Sequence, residues 1–296
     1  MTTLYLQALI DGILLGGVYA SIAAGLSVCF GVMGIINWAH GEMLMISMYI
    51  SYLCVQYLGM DPYLSMFICA IAMFAFGYCL QKYVYNGLLR RETAREPLSV
   101  LLSSAGLSMV LLNLATMVFG SFVLGVTTKY TGTTFEIGDL IISRPKVISG
   151  VIALVVTGLL FLFIQKTEYG RALRATSQNR TVARLMGIDV EQIFCTAFGM
   201  SLALVGISGA LLIPTFQVYP QVGTIFGNKT FIIVVLGSKG NVPGALIGGL
   251  IIGIIERVGA ILFNESYSLV LTYAIFILIL LFMPEGLFGK RNKTKS

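Results

Sequence analysis

The chain has 296 residues, of which 57% are hydrophobic and only 11% charged. A soluble domain carries about 25% charged residues, so this composition cannot clothe a soluble surface; it points to one polytopic domain in lipid, with no room for a separate soluble one. The net charge of +6 is concentrated, with 13 of the 19 Lys and Arg residues in segments 82–95, 166–184 and 290–295; they sit at the ends of apolar blocks without interleaved aromatics, which excludes a nucleic-acid groove and assigns all three segments to the cytoplasm.

In chain order, residues 13–36 form a first apolar helix. Gly12, Gly16, Gly17, Ala20, Ser21, Ala24 and Gly25 recur on it at spacings of three and four, a stripe that another backbone can approach closely. This block exceeds the ~20 residues that a span needs, so it is tilted or broken. Asp11 precedes it, where a carboxylate suits a helix N-terminus. Residues 34–45, GIINWAHGEMLM, then set Asn37, His40 and Glu42 between two apolar blocks with no true loop. In hydrocarbon such groups must be satisfied by protein or water. The segment is either a tight cytoplasmic turn or a broken helix dipping into the membrane, and the turn is the preferred reading.

Helices at 43–58 and 63–84 flank a hinge whose Asp61-Pro62 pair is a helix-start signal. The helix at 98–123 carries Ser103, Ser104 and Ser108, which bond most readily to their own backbone, and Asn113, which is expected to face another helix or a cavity. The Thr- and Gly-rich stretch 125–143 lies outside by alternation, and a helix at 147–164 returns the chain to the cytoplasm.

Residues 166–192 are polar and basic, with Lys166, Arg171, Arg174, Arg180 and Arg184 against Glu168, Asp189 and Glu191. They read as two short helices. Arg171, Arg174 and Gln178 share a face of the first; Asn179 or Thr181 caps the second and Gly187 ends it. Leu185, Met186 and Ile188 add an apolar edge. This is either a surface that another protein grips or a solvated cytoplasmic loop.

A helix at 193–213 ends at Pro214. Gln217, Tyr219, Pro220 and Gln221 read as extracytoplasmic, and the apolar run 230–236 is too short to span alone. Helices at 246–263 and 269–283 and the basic tail follow. With the N-terminus outside and the C-terminus cytoplasmic the crossings must be odd in number, so either the run near Thr230, extended by its flanks, joins eight clear blocks as a ninth or the first helix is broken. The expected fold is an all-α polytopic membrane protein with about eight or nine transmembrane helices, some broken or short.

Glu256 and Arg257 stand inside an apolar helix, where each charge costs at least ~2.5 kcal/mol and needs a partner or water. As neighbours they diverge by about 100° around the helix and do not pair with each other. Glu256 is expected to face the bundle or a subunit interface, and Arg257 to snorkel or pair elsewhere. Gly244, Gly248, Gly249 and Gly253 on the same helix favour close packing, in this chain or against another subunit. The five cysteines lie in apolar runs and read as small buried hydrophobes. The single histidine, His40, leaves neither a histidine metal site nor a Ser-His-Asp set. No HExxH and no GxxxxGK[ST] occurs. No catalytic residue, metal or cofactor is expected, and phosphate-driven energy would have to come from another chain.

Four runs, GILLGGVYASIAAGLSVCFGVMGIINWAHGEMLM (12–45), EYGRALRATSQNRTVARLMGIDV (168–190), VPGALIGGLIIGIIE (242–256) and MPEGLFG (283–289), resemble the smaller permease subunit of branched-chain amino-acid ABC importers, a family whose relatives include urea and short-amide permeases. The resemblance spans nearly the whole chain in order. It implies a single permease domain over residues 1–296 in a bacterial inner membrane. Its partners would be a second permease (a heterodimer), two cytoplasmic ATP-binding subunits and an extracytoplasmic substrate-binding protein. On this likeness residues 166–192 become the ATPase-coupling segment, with Gly170, Arg171, Ala172, Arg174, Arg180, Ala183, Arg184, Leu185, Gly187 and Ile188 in it. Asn37, His40, Glu42, Asn113 and Glu256 are the expected pathway or gate residues. The chain departs from the family pattern at Ser238-Lys239 and at Arg257. The competing readings are a permease for urea or short amides and an ion-coupled secondary transporter working through Glu42, Glu256 and Arg257; a weaker one is an intramembrane enzyme.

Overall fold

The computed structural model describes residues 2–91, 98–138, 140–283 and 285–289. Arg95 of the first basic segment, Pro284 of the last motif and the basic tail lie outside the described residues. Apolar sequence becomes helix almost throughout, because in lipid a helix satisfies its backbone groups within one segment. The order is α1 (Thr2–Met33), α2 (His40–Leu58), α3 (Pro62–Leu80), a π turn (Gln81–Tyr85), α4 (Asn86–Arg91), α5 (Leu98–Phe119), β1 (Thr134–Ile137), β2 (Leu140–Ser143), α6 (Arg144–Lys166), α7 (Glu168–Gln178), α8 (Arg180–Leu185), α9 (Val190–Leu212), α10 (Val222–Leu236), α11 (Val242–Leu262) and α12 (Glu265–Phe282). Among the described residues, six helical stretches are long and apolar enough to cross a membrane, and two shorter apolar helices accompany them. The chain is a mostly helical, multi-pass membrane protein.

The α1 helix is the axis of the bundle, packed against α6, α9, α10 and α11. The small-residue stripe makes this possible. A Cβ on Gly16 would lie 2.8 Å from the Gly249 carbonyl oxygen, so the α1 and α11 backbones touch, as close packing in a bilayer requires. Gly253 meets Gly12 and Gly16, Gly249 meets Ala20, Gly248 meets Ile233 of α10, and Gly244 meets Gly237. The partners of all four α11 glycines lie within this chain. Buried serines tie the remaining helices: Ser47 donates to the Gly206 carbonyl at 2.7 Å, Ser149 to the Leu211 carbonyl at 2.7 Å, and Ser208 to Ser21 at 3.0 Å.

Several expectations are corrected. The first helix begins at Thr2, so Asp11 lies within α1; it has no role at the helix start and instead pairs with Lys146 of α6 at 2.5 Å. The fold is not wholly helical, because β1 and β2 form an antiparallel hairpin with Thr134 opposite Ser143. Alternating Phe135 and Ile137, opposite Ile142 and Leu140, give the hairpin one apolar face. Cys79 is exposed, against the expectation that all five cysteines are buried. Asp61, as expected, caps α3 by accepting from the Tyr63 amide at 2.9 Å, with Pro62 in the first turn.

Gln7 and Leu287 lie at opposite ends of the bundle. Gln7 donates to the Ile141 carbonyl at one end. At the other, the Leu287 amide donates to the Leu236 carbonyl, and Gly240 lies against Gly31 near the end of α1.

Candidate functional site

The preferred reading of residues 34–45 as a surface turn is overturned. After α1 ends at Met33 the chain turns back along it, and the His40 ring lies 3.3 Å from the carbonyl of Ile22. Eleven residues of helix separate Ile22 from Met33, about 16 Å at 1.5 Å per residue. Thus α2 starts deep inside the bundle. Asn37, His40 and Glu42 are all buried. Asn37 Oδ1 accepts from the Ala39 amide at 3.2 Å, and Ser104 Oγ accepts from the Trp38 amide at 3.1 Å; these side chains replace the ladder bonds that the non-helical segment lacks.

The first turns of two helices meet here. A Cβ on Gly41 of α2 would collide with the carbonyl of Gly223 in α10, and one on Gly223 would press on Glu42 at 2.9 Å. Thr224 donates to the Glu42 carboxylate at 3.2 Å. A cavity of about 190 Å³ opens beside this crossing, lined by Asn37, Trp38, Glu42, Thr224, Asn228 and Phe231 among others, with Tyr273 and Phe276 of α12 at its edge. Thr224 and Asn228 are exposed on one face of α10, one helical turn apart. Trp38 is 58% exposed at the rim. Polar groups at this depth cannot face hydrocarbon without large cost. They must face water or a second protein surface. Both helix N-termini, neither closed by a side-chain cap, turn their positive dipole ends toward the same space.

Two other expected pathway residues lie elsewhere. Asn113 is exposed on α5 and donates to the Met109 carbonyl of its own helix at 2.7 Å, so among the described residues it meets neither another helix nor this cavity; a backbone acceptor one turn away satisfies its amide. Glu256 does face the bundle. Its Oε1 accepts from Lys229 Nζ at 2.8 Å, and Tyr19 OH donates to its Oε2 at 3.0 Å. Lys229 also reaches Tyr19 OH at 3.0 Å and lies over the rings of Tyr19 and Phe226 at 5.2 Å and 5.9 Å. This buried triad joins α1, α10 and α11. In the sequence Lys229 is masked by the apolar run 230–236 that follows it directly. The available signal was a lone Lys in one apolar helix and a lone Glu in another, each needing a counterion. Arg257 is not Glu256's partner and forms no ion pair among the described residues.

The segment 166–192 folds into α7 and α8 as its caps foretell. Thr167 accepts from the Gly170 amide at 3.0 Å, and Asn179 accepts from the Thr181 and Val182 amides at 3.0 and 3.1 Å. Gly187 turns the chain with φ 84°. The basic residues divide into two sets. Arg174 donates to the Ile164 carbonyl at the end of α6, and Arg180 to the Met33 carbonyl at the end of α1, with its guanidinium over the Phe194 ring. Burial, and then the charge of Arg184, lower the pKa of Arg180 from its ordinary value. Gly170 is pressed against Ile164. These residues fasten the segment to the membrane helices. Arg171, paired with Glu168 at 3.1 Å, stays in solvent, as does an apolar knob of Val182, Leu185 and Met186, exposed by 51%, 81% and 77%.

Comparison with known proteins matches residues 8–280 to the model of the branched-chain amino acid transport system permease component family. The chain is 33% identical to the high-affinity branched-chain amino acid transport system permease protein BraD of Pseudomonas aeruginosa, over 98% of each chain. It is 31% identical to the corresponding permease protein LivH of Escherichia coli K12, over 98% of this chain and 97% of the relative. A more distant likeness, 29% over 56% of this chain and 58% of the relative, is to the ribose import permease protein RbsC of Escherichia coli K12. No solved structure matches. The chain belongs to the family of permease components of branched-chain amino acid transport systems.

Proposed function

We propose that this chain is the permease subunit of an ATP-driven importer of branched-chain amino acids in a bacterial inner membrane, with a second permease, ATP-binding subunits and an extracytoplasmic binding protein as its partners. The observation that carries the mechanism is the cavity at the crossing of α2 and α10, whose apolar walls hold a few buried polar groups. Two helix N-termini suit the substrate carboxylate, the Glu42 carboxylate suits its ammonium group, and Trp38 and Phe231 offer apolar surface to its side chain. The exposed Thr224–Asn228 face of α10 lines the path and meets the second permease across it.

In this reading the N-terminus is outside, the tail is cytoplasmic and the chain makes nine passes, two of which are completed by the non-helical segments that precede α2 and α10. Clustering of basic residues at the α6–α9 connection supports that orientation. The Val182–Leu185–Met186 knob docks the ATPase. Arg174 and Arg180 pass its movement to the ends of α6 and α1, whose rigid helices carry it to the cavity. The test is uptake of labelled leucine into vesicles holding the reconstituted complex. Uptake that needs ATP, the ATPase and the binding protein supports the proposal. Uptake by the purified chain alone under an ion gradient overturns it in favour of a secondary transporter.

A further inference from the structure

At the Gln7 end of the bundle, between α1, α6 and α11, lies a second charged cluster that the transport reading does not use. Lys146 and Asp11 form an ion pair at 2.5 Å, with side chains 34% and 17% exposed. Arg257 stands beside them and borders two crevices that also share Asp11, of about 240 and 320 Å³. Its Nε is buried with no hydrogen-bond partner among the described residues. Two cations and one carboxylate leave the cluster with a net charge of +1, which suits a monoanion better than a zwitterion. The walls are apolar: Leu14, Leu15 and Phe216 on one side, Leu4, Ala260 and Ile261 on the other. Leu4, Ile261 and Leu262 are exposed by 53%, 43% and 52%, so the second crevice opens onto the lipid-facing surface. Arg257 lies five residues before the end of α11 at Leu262, about 8 Å along the axis, within the reach of a snorkelling guanidinium to the headgroup layer.

We propose that this crevice binds an anionic phospholipid, with the phosphodiester on the Arg257 guanidinium and an acyl chain along Leu4 and Ile261. A planar fork of donors fits a phosphate's oxygens, and the bound lipid stitches α1 to α11 at their lipid-exposed ends. The site lies apart from the α2–α10 cavity, and its test does not depend on transport.

The experiment is native mass spectrometry of the full-length chain in its purified assembly, titrated with phosphatidylglycerol, phosphatidylethanolamine or inorganic phosphate. Wild type should retain phosphatidylglycerol in preference to phosphatidylethanolamine, and Arg257→Gln should cut that retention about fivefold, the effect of one basic residue near a lipid surface. Arg257→Lys should keep most of it. Asp11→Asn, which raises the cluster's charge, should strengthen it. Equal retention of the two lipids, or no change in Arg257→Gln, overturns the proposal. So does displacement by millimolar inorganic phosphate, which would make the site one for free anion. Retention by the isolated chain that vanishes in the assembly would make the crevice a subunit contact, and would likewise overturn it.

Discussion

Replacing Lys229 by Met tests the buried triad. The change preserves much of the side chain's length but removes its charge and its hydrogen bonds to Glu256 and Tyr19, leaving Glu256 with the Tyr19 hydroxyl as its remaining polar partner. Breaking a buried pair from one side costs about 3–5 kcal/mol, because the surviving charge stays desolvated. The side chains here are 10% and 18% exposed, so water relieves part of that penalty and the lower figure, about 3 kcal/mol, applies. For a chain of 296 residues that corresponds to a fall in Tm of about 5 °C. The assay is the temperature at which the detergent-purified chain loses its monodisperse peak. The double variant Lys229→Met/Glu256→Gln removes both charges and should regain most of the loss, since a buried pair replaced on both sides is close to neutral. A single variant as stable as wild type would refute the reasoning, and so would a double variant whose loss equals the sum of the two singles.

Three further outcomes follow from the same geometry. Gly41→Val drives a side chain into the Gly223 carbonyl; it should weaken the α2–α10 crossing by about 1–3 kcal/mol and abolish leucine uptake while the chain still inserts, as an immunoblot of washed membranes would show. Leu185→Asp with Met186→Asp places charges on the exposed knob and should weaken capture of the ATP-binding subunit at least about 30-fold, with thermal stability unaltered. Asn113→Leu should leave uptake unchanged and shift stability by no more than about 0.5 kcal/mol, because its amide serves only its own helix; a strong uptake defect would restore it to the pathway.

Most of the helices were legible because lipid imposes one solution on an apolar run, and Pro62, Asn179 and Gly187 marked boundaries by local chemistry. The coupling segment was legible for the same reason, but which of its arginines turn inward was not: Arg174 and Arg180 find carbonyls at the ends of distant helices, and no local pattern encodes that. The depth of His40 and Glu42 was hidden too. A non-helical stretch reads alike at the surface or inside, and only the return of α2 along α1 to Ile22 decides between them. Asn113 shows the converse, since a polar residue in an apolar helix can be satisfied one turn back without meeting anything else. Lys229 is legible without long-range knowledge, because the lone charge of Glu256, 27 residues away, demands a counterion.

The central claim is that the α2–α10 crossing borders an aqueous path. Thiol labelling tests it most directly, in a chain whose five cysteines have been replaced and which is assembled and turning over ATP. Single cysteines at Thr224, at Asn228 and, as a reference, at Val155, which is 54% exposed on α6, are treated with a membrane-impermeant thiol reagent. The account predicts rapid labelling at the two α10 positions, slowed by excess leucine with binding protein, and none at Val155. Labelling at Thr224 and Asn228 as slow as at Val155 would contradict it.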